Sequence, residues 1–229
     1  MEGNASLPQH DGTGQSEGGI PLVILAGGRA SRLNGDKALA PFAAATLLDA
    51  VIARLHDGIW RGPVAINANG DPRRFDCFRM PVLADSTANF PGPLAGILAA
   101  MEWASTRRDG QWEWVGTVPT DTPLLPSGLM DSMQKALQRA PDDMIVCAES
   151  TSGVHPVIAL WPLSLREPLR YALVEEGTRR VRDFIARYPL RRVTFADDGF
   201  DPFLNVNSAA ELAAAEALWR SGRAAPVPG

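Results

Sequence analysis

The sequence predicts an α/β fold in which a mostly parallel sheet carries helices on both faces. Apolar runs of strand length alternate with longer segments whose apolar residues recur every three or four positions, the order typical of such sheets. The chain has 229 residues, of which 45% are hydrophobic and 21% are charged, as in ordinary globular domains. We therefore expect a single domain over residues 20–222, between a disordered tail at 1–19 and a frayed tail at 223–229.

Seven short apolar runs are predicted to be strands, because turn-forming residues bound each of them. In chain order they are Pro21–Ala26, Pro63–Asn67, Pro81–Ala84, Trp112–Pro119, Met144–Ala148, His155–Leu160 and Arg191–Phe195.

Four amphipathic segments between and after these strands are predicted to be helices. Ser127 is the expected N-cap of the third, and Ser208 with Glu211 forms a capping-box pattern at the start of the fourth. The segments are Leu47–Leu55, Gly92–Ala104, Gly128–Ala140 and Ser208–Gly222.

Charge and composition exclude several classes of protein. The net charge of −4 argues against nucleic-acid binding, which needs a basic face. The segment 1–19 lacks the apolar region of a signal peptide, and no apolar stretch is long enough to span a membrane. Cys77 and Cys147 lie far apart without metal-type spacing, so we expect reduced thiols, no disulfide and a cytoplasmic location.

The segment PLVILAGGRASRLNGDKALAPF combines a strand, a glycine turn and three cations. Gly27 and Gly28 can turn the chain with positive φ and expose backbone N–H groups as a nest for phosphate oxygens, with Arg29, Arg32 and Lys37 around it. The Walker lysine motif and the G-x-G-x-x-G motif are both absent. On this segment alone, an ordinary connection with solvated arginines is an equally good interpretation.

Polar residues follow three of the other predicted strands, where an open parallel sheet binds its ligands. Asn67, Asp85 and Asp121 stand at or just after these strand ends. Asp121 is a candidate Mg²⁺ ligand, since Mg²⁺ favours one or two carboxylates together with phosphate and water. Asp85 offers two parallel acceptors, which suit the N1–H and N2–H₂ donors of guanine. The alternative for both aspartates is a structural turn or cap.

The motifs LAGGRASRLNGDKAL, INANG, ADSTANFPGPLAGILAAM, VPTDTPLLP, HPVIAL, GTRRV and FLNVNSAAEL occur in this order. With them the chain resembles the molybdenum cofactor guanylyltransferases, the MobA family, from about Pro21 to about Arg220. The resemblance implies a Rossmann-like, three-layer nucleotidyltransferase fold. It also implies an enzyme that transfers GMP from Mg·GTP to the terminal phosphate of molybdopterin and releases pyrophosphate.

The resemblance further implies the residues of the site. Lys37, Asp121 and Arg32 would act on the reacting phosphates, Asp121 would also hold Mg²⁺, and Gly28 would complete the phosphate nest. No nucleophilic side chain is required, because positioning and charge neutralisation carry such a transfer. The implied GTP contacts are Leu25, Ala26, Gly27, Gly28, Lys37, Asn67, Asp85 and Asp121, and the implied molybdopterin side has Arg180, Asn205 and Asn207.

The segment GTRRVRDFIARYPLRRV is rich in arginine, and a charge run of this kind is usually a solvated helix face. At helical spacing, its apolar residues would point inward while Arg179, Arg182 and Arg187 face water. Arg180 is the best candidate for the molybdopterin phosphate, because a guanidinium suits that group. His155 is expected to be a strand-start residue with a satisfied hydrogen bond rather than a catalyst.

Two departures from the family pattern affect loop shape. Asn34 stands where the family usually has glycine, and Ala43–Ala45 replace a common Gly-Lys-Pro turn. Asn tolerates left-handed backbone, so the first loop should still close. The shape of the second loop stays open, and we still predict activity.

Three other functions stay open. The chain could be a cytidylyltransferase for the same cofactor, a sugar-phosphate nucleotidyltransferase or a non-catalytic GTP-binding sensor. We expect a monomer or weak oligomer that makes transient contact with proteins delivering molybdopterin and maturing molybdoenzymes.

Overall fold

A seven-stranded sheet forms the centre of the molecule. The computed structural model describes residues 19–27, 29–30, 35–56, 62–87, 92–106 and 112–222, with residues 29, 30 and 35 described by their backbone. The predicted tails lie outside this part of the chain except for Gly19. The strands are β1 Leu22–Leu25, β2 Arg29–Ala30, β3 Gly35–Asp36, β4 Pro41–Phe42, β5 Ala45–Thr46, β6 Val64–Asn67, β7 Val82–Leu83, β8 Trp114–Pro119, β9 Ile145–Ser150, β10 Gly153–Pro162 and β11 Leu190–Thr194.

The central sheet has the order β11-β9-β10-β8-β1-β6-β7. All its neighbouring pairs are parallel except those of β10, which runs antiparallel to β8 and β9. The predicted mostly parallel sheet is therefore confirmed, with each predicted strand present. Leu25 at the end of β1 pairs with Asn67 on one side and Pro119 on the other. The carboxyl ends of three central strands thus meet at one edge.

Both faces of the sheet are largely buried at β1, β6, β8 and β9, which explains why these strands appear in the sequence as continuous apolar runs. Along β1, Leu22 and Ile24 join the core on one face. Val23 and Leu25 join the core on the other. A third, smaller core lies beneath the β4–β5 hairpin and the C-terminal helix.

Six α-helices in the described segments complete a three-layer arrangement. Buried residues of the first and third helices pack on one face of the sheet. Those of the second, fourth and fifth pack on the other face. Sequence periodicity missed the fourth helix. The helices are α1 Leu47–His56, α2 Pro93–Thr106, α3 Leu129–Lys135, α4 Arg166–Val174, α5 Val181–Ile185 and α6 Ala209–Arg220.

One predicted helix start is confirmed and another is wrong. Ser208 caps α6 by accepting a hydrogen bond from the Glu211 amide. Helix α3 is preceded by Gly128 at φ 68°, with no side-chain cap hydrogen bond, so Ser127 is not its N-cap. The helix also ends before the predicted Ala140, at Lys135. Beyond this end, the guanidinium of Arg191 donates to the carbonyl oxygens of Ala136 and Gln138, and Arg139 has a left-handed backbone with φ 57°.

The alanine-rich departure at residues 43–45 still forms a tight turn. Strands β4 and β5 pair as an antiparallel hairpin. Ala43 has φ 51°, a left-handed conformation that costs about 1–2 kcal/mol for a residue with a Cβ. Its amide donates to Glu216 Oε1 of α6 at 2.8 Å, a contact that holds the strained turn in place. The other departure, Asn34, lies outside the described residues.

Both cysteines are free thiols, as expected, with Cys77 exposed and Cys147 buried. Burial raises the pKa of Cys147 to about 12, although the charge of Arg192 acts in the opposite direction. None of the helices in the described part of the chain is long and apolar enough to cross a membrane.

Candidate active site

The loop after β1 leaves the sheet at its carboxyl edge. The Ala26 amide donates to the Asn67 carbonyl at 2.8 Å, and Gly27 beyond it is exposed. Gly27 does not adopt the predicted positive φ, and Gly28 and Arg32 lie outside the described residues. Strands β2 and β3 then pair, with Arg29 opposite Asp36. This pairing places Asp36, the N-cap of the 3₁₀ helix Lys37–Leu39, opposite the backbone of Arg29.

Lys37 links its own segment to two others that are distant in the sequence. Its Nζ donates to Asp121 Oδ2 at 2.8 Å and to Asn207 Oδ1 at 2.6 Å. The side chain of Lys37 is 11% exposed and that of Asp121 is 27% exposed, so this ion pair is only partly screened by solvent. The Val206 amide donates to the Asp121 carbonyl at 2.8 Å. Asp121 is therefore held to the NVN segment through its backbone and, through Lys37, by its side chain.

Asp36 fixes the start of the helix that carries Lys37. One carboxylate oxygen accepts from the Ala38 amide at 3.2 Å, and the other lies 2.6 Å from Arg74 Nε. Arg74 also donates to the Asn69 carbonyl at 2.7 Å. It thereby links the Lys37 loop to the loop after β6. Sequence reasoning did not identify Arg74, because it lies in a short 3₁₀ helix without a recognisable motif.

Asn67, Asn69 and Asp85 form a second polar cluster at the same edge. Nδ2 of Asn67 donates to Asp85 Oδ1 at 2.9 Å and to the Leu83 carbonyl at 3.1 Å. Nδ2 of Asn69 donates to Asp85 Oδ2 at 2.7 Å, and its Oδ1 accepts from the Asp85 amide at 2.9 Å. Asn67 and Asp85 were predicted, whereas Asn69 was missed. Its signal was its place in INANG, two residues after Asn67.

Helix α2 packs closely against this cluster at Gly96. A Cβ built on Gly96 would lie 2.4 Å from Asn67 Oδ1 and 3.2 Å from Leu25 Cδ2. Only a residue without a side chain fits there while Asn67 keeps its position. Asn67 itself is 3% exposed, so its amide is fixed by packing as well as by hydrogen bonds.

The predicted molybdopterin side is more open. Arg180 and Asn205 are exposed, and no described contact joins either to Lys37 or Asp121. Gly92, which precedes α2, lies close to the Arg179 backbone, since a Cβ on Gly92 would lie 3.8 Å from the Arg179 carbonyl oxygen. The segment GTRRV therefore approaches the N-terminal end of α2. As predicted, Val181 is buried and the neighbouring arginines 179, 182 and 187 are exposed.

His155 has the satisfied hydrogen bonds that were expected. Its Nε2 lies 2.9 Å from Ser150 Oγ and 3.3 Å from Ser152 Oγ. Burial lowers the pKa of His155, and the nearby charge of Asp201 opposes that shift.

A family model described as MobA-like NTP transferase domain matches residues 22–193, well over half of the chain. The chain belongs to this family. It is similar to the molybdenum cofactor guanylyltransferase of Rhodopseudomonas palustris strain BisB5, with 44% identity over 199 residues that cover 86% of this chain and 93% of that protein.

Two solved structures agree with the fold of this MobA-like domain. Molybdopterin-guanine dinucleotide biosynthesis protein A from Archaeoglobus fulgidus has a TM-score of 0.68 at 16% identity, covering 88% of this chain and all of that one. A cytidylyltransferase from Leptospira borgpetersenii has a TM-score of 0.67 at 16% identity, covering 90% of this chain and 88% of that one. These likenesses confirm the predicted nucleotidyltransferase fold. They do not distinguish which nucleotide is used.

Proposed function

We propose that this protein transfers GMP from GTP to the terminal phosphate of molybdopterin, forming the guanine dinucleotide cofactor and releasing pyrophosphate. The observation that carries the proposal is the meeting of Lys37, Asp121 and Asn207 at the carboxyl edge of the sheet. Next to it lies the Asn67–Asp85 cluster. The relative from Rhodopseudomonas palustris, which is named as a guanylyltransferase and matches nearly the whole domain, supports the choice of reaction.

The Asn67–Asn69–Asp85 cluster is the proposed guanine site. Each oxygen of Asp85 accepts one amide N–H, which leaves further acceptor capacity on both. Guanine presents N1–H and N2–H₂ as parallel donors, whereas cytosine presents acceptors at N3 and O2. A carboxylate held in one orientation by two amides therefore favours guanine. Leu25, Ala26 and Gly27 supply the adjoining backbone wall.

The Lys37–Asp121 pair is the proposed phosphate site. Lys37 would exchange its contact with Asp121 for the triphosphate, where its charge stabilises the developing negative charge of the reaction. Arg32 and the backbone around Gly28, both from the same loop, are proposed to assist. Asn207, already bound to Lys37, would hold the ammonium on the side from which the second substrate approaches.

The residues also fit a divalent cation at Asp121. Its Oδ2 accepts a hydrogen bond from the ammonium of Lys37, and its Oδ1 accepts none from the described residues. The described part of the chain has no group of three or more His, Cys, Asp or Glu side chains suited to a metal. A single carboxylate suits Mg²⁺, because phosphate oxygens and water can supply the rest of its coordination shell. When bound, the cation would neutralise phosphate charge and orient the triphosphate.

The transfer needs no covalent help from the protein. A terminal phosphate oxygen of molybdopterin forms a bond to the α-phosphorus of GTP, and the bond from that phosphorus to the bridging oxygen breaks with its electrons leaving on pyrophosphate. The phosphate monoester is largely ionised at neutral pH, so no side chain has to remove a proton. Arg180, Asn205 and Asn207 are proposed to position the second substrate, which protein partners would deliver.

A turnover assay with molybdopterin, Mg²⁺ and each of the four NTPs tests the proposal. We expect pyrophosphate release and dinucleotide formation with GTP, at a kcat/KM at least about tenfold above that with CTP. A preference for CTP would overturn the guanine assignment. GTP binding without turnover would instead identify a sensor.

A further inference from the structure

Residues 201–207 connect the start of β10 with the end of β8, since Phe203 contacts His155 of β10 and Val206 bonds to Asp121 just after β8. At one end of this segment, Val206 donates to the Asp121 carbonyl and Asn207 accepts from Lys37. At the other end, Asp201 accepts from the Phe203 amide at 2.9 Å. The segment thus ends at Asn207, a residue of the proposed site. The position of Asn207 depends on how the other end of the segment is held.

His155 lies against that other end. Its ring centroid is 4.5 Å from that of Phe203, which is buried and also meets Phe195 edge-on at 5.5 Å. The pairing of β10 with β9 is interrupted immediately after His155, where the register shifts before Ala159. Irregularities of this kind re-aim side chains near functional sites. The interruption follows directly after His155, whose backbone is still paired with Ala148 and whose ring contacts Phe203.

Asp201 adds a polar contact to the same place. Burial would raise the pKa of Asp201, but hydrogen bonds from Ser152, the Phe203 amide and Ser150 bring that pKa below its ordinary value. The same two serine hydroxyls lie beside His155 Nε2. The segment is therefore fixed through the ring contact of Phe203 with His155 and through the carboxylate of Asp201, which accepts from the Phe203 amide.

We infer that His155, Asp201 and Phe203 form an anchor that positions Asn207 on Lys37. None of the three contacts Lys37 or Asp121 in the described structure, so the anchor acts through residues 204–207. His155 is then a positioning residue, not a catalytic one. The inference rests on the proposed function in one respect, namely that Lys37 and Asn207 take part in GMP transfer.

The test compares His155→Leu with His155→Gln and the matched surface control His56→Leu. Leucine removes both the ring contact and the hydrogen bond, whereas the glutamine amide can reach the position of Nε2. We expect His155→Leu to lower kcat about tenfold, to raise the KM for molybdopterin and to leave the KM for GTP within about twofold. His155→Gln should recover most of the loss, and His56→Leu should match the wild type.

A double-mutant cycle separates positioning from general destabilisation. If His155 acts through Asn207, His155→Leu should cost less than about twofold in the Asn207→Ala background. Independent, multiplying losses would overturn the inference. A loss in His155→Leu that His155→Gln does not reduce would overturn it as well.

Amide hydrogen exchange gives a readout that does not depend on turnover. In His155→Leu, the Val206 amide should exchange about tenfold faster or more, while the β1 amides stay as in the wild type. Unchanged Val206 exchange would overturn the anchor even if the wild type transfers GMP. Faster Val206 exchange in a protein that transfers no GMP would support the anchor and reject the proposed function alone.

Discussion

The two halves of the proposed site, one for the nucleotide and one for molybdopterin, differ in how completely their side chains are fixed. In the nucleotide half, Asn67 is buried and its amide, like that of Asn69, donates to one oxygen of Asp85. In the molybdopterin half, the side chains of Arg180 and Asn205 are exposed. Neither makes a hydrogen bond to another residue in the part of the chain that the structure describes. Asn207, held by Lys37, is the point where the two halves meet.

This difference separates two ways of recognising a substrate. A fixed carboxylate between two amides discriminates between bases without paying to order itself on binding. Exposed arginine and asparagine side chains lose rotamer freedom only when the ligand arrives. If the proposed function is correct, the side chains that select the nucleotide are already ordered in the free protein. The side chains of the molybdopterin site become ordered only when that substrate binds.

The largest expected effect comes from Asp121, the carboxylate that pairs with Lys37 next to the point where the two halves meet. Asp121→Asn keeps the shape of the side chain but removes the charge that pairs with Lys37 and would hold the cation. GMP transfer should fall on the order of 1,000-fold, with thermal unfolding little changed. Steady-state kinetics with a melting curve check this. Retention of activity within fivefold would remove Asp121 from the catalytic machinery.

A second variant tests the fixed half. Asp85→Asn replaces one acceptor by an N–H₂ group, which would face the guanine donors or the amides of Asn67 and Asn69. We expect kcat/KM for GTP to fall on the order of 100-fold, and the ratio between GTP and the other NTPs to shrink. The four-NTP assay measures both. An unchanged ratio would place base selection elsewhere.

Gly96→Ala tests whether packing fixes Asn67. The new Cβ would meet Asn67 Oδ1 at 2.4 Å, so the free energy of unfolding should fall by about 1–3 kcal/mol and the KM for GTP should rise. Gly27→Ala is the matched stability control, since its Cβ would lie 3.8 Å from the same oxygen and should cost no stability. Urea unfolding of both variants decides. Equal stabilities would show that Asn67 can move.

The open half predicts a smaller and more selective effect. Arg180→Ala should raise the KM for molybdopterin about tenfold through loss of a charge-assisted hydrogen bond, while the KM for GTP stays unchanged. Arg187→Ala is the control, because Arg187 pairs with Glu176 on the exposed side. If Arg180→Ala changes the KM for GTP instead, Arg180 does not belong to the molybdopterin half of the proposed site.

The smallest expected effect is a dependence of stability on pH. Burial, aided by the charge of Arg182, lowers the pKa of His155 from 6.5 despite Asp201 and Asp197. A lowered pKa favours the neutral ring in the folded state. Stability from this group is therefore complete above pH 6.5 and declines as the pH falls toward the lowered value. Melting temperatures from pH 8 to 5 should show a decline that His155→Gln reduces, and equal slopes would contradict this assignment.

Most strands of the sheet and part of the candidate site could be predicted from the sequence. The central strands are recognisable as apolar runs because both of their faces are buried. Asn67, Asp85 and Asp121 could then be selected as candidate site residues, because they stand at or just after the ends of predicted strands. Helix α4 was missed because its exposed face brings charges into the sequence REPLRYALV. Asn69 and Arg74 were missed because their roles come from contacts with Asp85 and Asp36, which only the folded chain brings close.

A structure of the protein with GTP and Mg²⁺ tests the fixed nucleotide half most directly. We predict that N1–H and N2–H₂ of guanine lie within hydrogen-bond distance of Asp85, that Asn67 keeps its position, and that Lys37 Nζ has moved from Asp121 to the triphosphate. A base bound away from Asp85, with the Lys37–Asp121 pair intact, would contradict this assignment.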